Sequence, residues 1–154
     1  MWAALFAFTN GLAILGWLLL AAGPRQPLMH SAILYLGVAL LCFIYAAVFA
    51  LVLSGAVDPV RVAGPGPMDF TSIAGVRALF ASDGGVVIGW THYLAFDLFT
   101  GLWIARDADN KQFGRLVQLP FLFATFMAGP VGLLAWLIVR ERRARASGRA
   151  GGRG

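Results

Sequence analysis

Between Ser31 and Leu53 the chain carries no charged side chain. A helix rises 1.5 Å per residue, so this run is long enough to cross a hydrocarbon core of about 30 Å. Such a stretch has few soluble homes. The chain as a whole is 60% hydrophobic and 12% charged, with a mean hydropathy of +0.79. A soluble domain has about 25% charged residues. The apolar excess is gathered into runs of membrane-spanning length, which predicts an integral membrane protein.

Four such runs are readable. Trp2–Ala22 ends at Gly23-Pro24-Arg25. It starts without a basic residue and is longer than the apolar part of a cleaved signal peptide, so it reads as a retained helix. Ser31–Leu53 is the second. The stretch 54–68 holds Gly55, Pro59, Gly64, Pro65, Gly66 and Pro67, a density of breakers that reads as loop. The third span is 86–105, entered by Asp83-Gly84-Gly85 and left by Arg106-Asp107, and the fourth is 119–139. Over 69–82, Phe70, Ile73, Val76, Leu79 and Phe80 recur at helical spacing. This predicts a short amphipathic helix at the membrane surface, either a lid or a plain linker.

The expected fold class is therefore an all-α integral membrane protein with four transmembrane helices and a short interfacial amphipathic helix. Residues 1–139 form one four-helix membrane domain, and 140–154 form a basic, disordered cytoplasmic tail. Four spans put both termini on one side. The six arginines from Arg140 to Arg153 mark that side as cytoplasmic, with Arg61 and Arg77 beside them and Arg25, Arg106, Lys111 and Arg115 outside. The expected location is a bacterial inner membrane, and the arginine tail reads as a topology signal, not a nucleic-acid arm. Cys42, the only cysteine, lies in an apolar run and reads as a buried hydrophobe.

Asp97 stands near the middle of the third span. An ionised aspartate at a helix centre costs about 2.5–3.5 kcal/mol on insertion scales. It escapes that cost by facing a polar partner, or by keeping its proton, because burial disfavours the charged form. Asn10 lies near the midpoint of the first span. The midpoint of the fourth falls on Gly129-Pro130, where proline removes an amide donor and frees the carbonyl of Phe126. Polar or irregular backbone at one depth in three helices predicts a pocket.

Spacing refines the third span. Trp90, Tyr93, Asp97, Gly101 and Ile104 share one helical face. His92 lies about 140° round from Asp97, in line with Phe96, Phe99 and Trp103, so spacing does not pair the two directly. Two readings stay open: a functional pocket, or a lone Asp and Asn that bond to each other and lock the bundle, worth about 0.6–2 kcal/mol. No metal cluster, phosphate loop, haem motif or nucleophile triad is present, so no metal or cofactor is expected.

The run Trp90-Thr91-His92-Tyr93-Leu94-Ala95-Phe96-Asp97-Leu98-Phe99 resembles the W-x-H-x-x-x-x-D-L-F signature of the abscisic-acid-deficient-four-like family, which includes plant neoxanthin synthase and many bacterial relatives. Asn10, Trp17 and Pro24 fit its first helix, and Gly129-Pro130-Val131-Gly132-Leu133-Leu134 fit its last, so the resemblance covers most of residues 8–138. The Ala-, Gly- and Arg-rich composition suggests a bacterial member. In the family pattern the residue after the glycine of the third helix is often arginine; here it is Leu102.

The resemblance implies a four-helix membrane protein and, by analogy with the plant enzyme, isomerisation of an epoxycarotenoid to an allene. That reaction needs an acid and a base but no redox cofactor. Asp97 would be the acid, Tyr93 a relay and His92 the base. Asn10, Trp90, Phe96, Phe99, Gly101, Trp103 and Pro130 would bind a lipophilic, carotenoid-like substrate. The rival class is a non-catalytic membrane protein that binds a carotenoid, quinone or lipid, or assists assembly of a complex. Membrane lipids are the expected surroundings, and four helices are few for one chain, which leaves a homo-oligomer open.

Overall fold

The computed structural model describes residues 1–57 and 69–151, with side chains through Glu141. Most of the expected 54–68 loop, including Arg61, and the side chains of the tail arginines from Arg142 onward lie outside the described residues. Among those described there is no strand. Seven α-helices follow in order: α1 Trp2–Ala22, α2 Pro27–Ala32, α3 Leu40–Leu53, α4 Ile73–Leu79, α5 Asp83–Asn110, α6 Arg115–Met127 and α7 Gly129–Gly151. A π-helical stretch, Ile33–Ala39, joins α2 to α3, so that Pro27–Leu53 runs on as one apolar segment.

Two segments are long and apolar enough to cross a membrane, Trp2–Ala22 and Pro27–Leu53. A third is gained if α4 and α5, bent by 100° at their junction, count as one. These are the helices of a membrane protein. Large apolar side chains such as Leu18, Leu36, Phe43 and Phe99 are exposed on them, as contact with lipid requires, and so is Cys42, which was expected to be buried.

The chain packs as two compact units. The first comprises Met1–Leu15 and Tyr35–Phe96, the second Gly16–Leu34 and Asp97–Gly154. In the first, Thr9, Ala13, Leu41, Val87, Thr91, Leu94 and Ala95 are buried. The threonine hydroxyls donate back along their own helices, Thr9 to the carbonyl of Phe6 (3.1 Å) and Thr91 to that of Val87 (2.7 Å), which satisfies them without a partner helix.

The amphipathic helix expected over 69–82 is shorter, only α4. Ser72 is extended and its hydroxyl accepts the Gly75 amide at 3.0 Å, a helix cap that stops α4 from starting earlier. Asp69 accepts hydrogen bonds from the Thr71 amide and hydroxyl (both 2.7 Å) and from the Ser72 hydroxyl, which fixes the approach. Those donors, Ser72 first and then Thr71, hold the exposed Asp69 carboxyl down at about 2. Ser82 caps α5 in the same way, accepting from Gly85 at 3.1 Å, with Asp83 in the first turn where an acid suits the helix dipole.

The second unit departs most from expectation. The span expected over 119–139 is two helices, broken at Ala128 (φ −159°, ψ 82°). They fold back on each other. In a straight helix Thr125 and Gly132 would be about 10 Å apart. Here a Cβ on Gly132 would fall 2.6 Å from the Thr125 Cα, and Trp136 packs edge-on against Phe121 with ring centres 5.4 Å apart. The break has a local cause: Pro130 has no amide to continue the α6 ladder, and Gly129 and Gly132 permit the close return. α7 then runs to Gly151, past the point where disorder is expected, through arginines and alanines that are good helix formers.

Candidate functional site

Asp97 is buried, with 8% of its surface exposed, and its carboxyl group sits at the α6–α7 turn. A Cβ on Gly129 would fall 2.7 Å from the Asp97 Cγ, so the carboxyl occupies the space that a side chain at Gly129 would take. Gly129 opens α7, and a helix start carries partial positive charge that suits a carboxylate. The Ala128 carbonyl is bonded by the Val131 amide at 2.9 Å. Pro130, expected as a contact residue, shapes the turn on which Asp97 rests.

Further along α5, Gly101 is covered by an indole. A Cβ there would fall 2.6 Å from Cζ3 of Trp17, and Trp17 itself meets Phe126 of α6 edge-on at 5.6 Å. The close approach expected at Gly101 is thus made by a side chain of α1. Leu102 is buried at 1% exposure. Phe99 and Trp103 are exposed, and the Arg140 guanidinium lies 5.6 Å from the Trp103 ring, a cation–π distance.

The end of α5 carries an ionic cluster that sequence reasoning did not anticipate. Asp107 accepts from Arg140 through Nε (2.8 Å) and Nη2 (3.0 Å) and from the Trp136 indole (3.0 Å). Asp109 pairs with Arg25 at 2.9 Å, accepts from Gln118 at 2.9 Å and has His30 at 3.9 Å. Arg115 donates to the carbonyls of Ala22 and Gly23, which bare the end of α1. The sequence signal was the alternation Arg106-Asp107-Ala108-Asp109, whose acids need cations that only the folded chain identifies.

The other candidates lie in the first unit. Asn10 is engaged at both ends: its Nδ2 donates to the carbonyl of Phe6 at 2.7 Å, and its Oδ1 accepts from the Trp90 indole at 3.0 Å. Trp90 lies between Phe6 and Tyr93, at 6.0 and 5.1 Å. His92 is stacked on Phe96 at 4.6 Å and tilted against Tyr45 at 5.5 Å, and Tyr45 in turn stacks on Phe49. These contacts make two aromatic groups in the first unit, Asn10 with Phe6, Trp90 and Tyr93 in one, and His92 with Phe96, Tyr45 and Phe49 in the other. Asp97 belongs to the other unit and has its own surroundings.

The family model described as ABA DEFICIENT 4-like matches residues 4–136. The chain belongs to that family. The match takes in both aromatic groups and the α6–α7 turn, so the ABA DEFICIENT 4-like resemblance seen in the third helix extends through nearly the whole membrane region. Neither a curated protein nor a solved structure matches the chain.

Proposed function

We propose that this ABA DEFICIENT 4-like protein is a membrane-embedded isomerase that acts on a carotenoid or similar lipophilic substrate by acid–base chemistry at Asp97. One observation carries the reading: a carboxyl group is kept out of water at a helix break, against the opening residue of α7. A carboxyl group can both give up and take back a proton, which is what an acid–base isomerisation asks of it. In epoxide opening to an allenic alcohol the C–O bond breaks and oxygen takes one proton, while a C–H bond breaks and a base takes another. No electrons enter or leave. Asp97 is the donor in this scheme, with Tyr93 on the same face of α5 as its relay and His92 as the base. The exposed rings of Trp90, Phe96, Phe99 and Trp103 suit a polyene drawn from lipid.

A second reading is favoured by particular contacts. Asn10 is occupied by Trp90 and Gly101 by Trp17, so two groups proposed to touch substrate already serve packing. This suits a protein that binds a carotenoid, quinone or lipid without converting it.

Expression in a carotenoid-producing bacterium, followed by pigment chromatography of the membranes, separates the two. A new pigment that vanishes with Asp97→Asn supports the isomerase. An unchanged profile with pigment bound to the purified protein supports the binding protein.

A further inference from the structure

We infer that α6 and α7 form a re-entrant hairpin, which enters the bilayer and leaves it on the same side, and that this side is the cytoplasmic one. The first argument is length. α6 has 13 residues, about 20 Å of helix, too short for a hydrocarbon core of about 30 Å. The second is direction. After Ala128 the chain returns along the path it came by: Gly132 sits on Thr125, and Trp136 reaches both Phe121 and Phe113, the latter at 4.9 Å just before α6 begins.

Depth can be read along α5. The hairpin apex rests on Asp97, and Asp107 is ten residues further on, about 15 Å at helical rise, or roughly half the hydrocarbon thickness. At Asp107 both outer ends of the hairpin meet polar company. Gln118 of α6 bonds Asp109, and Arg140 of α7 bonds Asp107. Arg25, His30, Lys111 and Arg115 join them. Charged groups gather so at the water boundary, while the apex turns apolar Met127 and Val131 outward and closes its turn with the Val131 amide on the Ala128 carbonyl.

Charge then fixes the side. With the hairpin re-entrant, Arg25, Arg106, Lys111, Arg115, Arg140 and the arginines after it share one face. The unit of Gly16–Leu34 and Asp97–Gly154 holds ten of the chain's 12 basic residues. That asymmetry follows the rule that basic residues stay in the cytoplasm, where the leaflet is anionic. The four-span arrangement splits the same residues far less cleanly, with Arg25, Arg106, Lys111 and Arg115 outside. Because α1 crosses once and ends beside this cluster, its start lies on the outer side, which replaces the expectation of two cytoplasmic termini.

The test is sidedness in vesicles. Lys111 is the chain's only lysine, so the unaltered protein can be treated with a membrane-impermeant amine reagent and read by mass spectrometry. Modification in inside-out but not right-side-out vesicles is the expected result; the reverse overturns the cytoplasmic assignment. In a Cys42→Ala background, Asn110→Cys and Glu141→Cys are then treated with an impermeant maleimide. Both are expected to react from the same side as Lys111 and Ser54→Cys from the opposite side. Reaction of Asn110→Cys and Glu141→Cys from opposite sides would show that residues 115–140 cross the membrane and would overturn the hairpin.

Discussion

The carboxyl group of Asp97 fills the place where a side chain on Gly129 would stand. The two residues are far apart in sequence, and each explains the other. Glycine is needed where the carboxyl lies, and the acid has a helix start to lie against.

Gly129→Ala should therefore disturb the turn on which Asp97 rests. Overpacking of this kind costs about 1–3 kcal/mol. The melting temperature in detergent is expected to fall for Gly129→Ala, while Gly11→Ala, whose Cβ meets nothing within 4 Å, leaves it unchanged or slightly raised. Equal behaviour of the two variants would count against the contact.

The Trp90–Asn10 bond makes a separate prediction. Asn10→Ala leaves the Trp90 indole without its acceptor, at a cost of about 0.6–2 kcal/mol by the measure of polar pairs in membranes. Tryptophan emission should shift as the ring leaves its place between Phe6 and Tyr93. An unmoved spectrum with unchanged stability is the contrary result.

At the far end of α5, Asp107→Ala removes the acceptor of both Arg140 and Trp136. Hydrogen bonds to a charged group contribute about 1.5–3 kcal/mol, and the pair is partly exposed, so the lower part of that range is expected. Urea unfolding in mixed micelles should read the loss, and Arg140→Ala should produce a similar one without adding to it in the double variant.

These contacts show how far the sequence can be read. The apolar runs gave the helical class, and Asp97 stood out because an acid is costly in lipid. Gly129-Pro130 marked the right place but not its consequence: one proline can kink a span or end it, and only the return of Gly132 onto Thr125 distinguishes the two. Depth in the first span singles out Asn10 but does not fix azimuth, and only the folded chain shows that its amide oxygen accepts from Trp90. The pairing of Asp107 with Arg140 was out of reach because it depends on where α7 goes after the turn.

Asp69 offers a check through pH. Its folded carboxyl is held at about 2 by the Ser72 and Thr71 donors, below the ordinary 3.8. A lowered folded value means that its contribution is present above 3.8 and lost as pH falls toward 2. Carboxyl titration by NMR should find Asp69 still ionised at pH 3, and Ser72→Ala together with Thr71→Ala should return it toward 3.8. An ordinary titration in the unaltered chain would contradict the capped turn.

The most direct test of the central claim uses purified protein in lipid vesicles loaded with an epoxycarotenoid. Product is followed by chromatography and mass. The account predicts conversion to an isomer of unchanged mass, slowed by about 10²–10⁴-fold in Asp97→Asn, the usual contribution of a general acid. Conversion at the same rate in the variant, or bound pigment never converted by the unaltered protein, would contradict it.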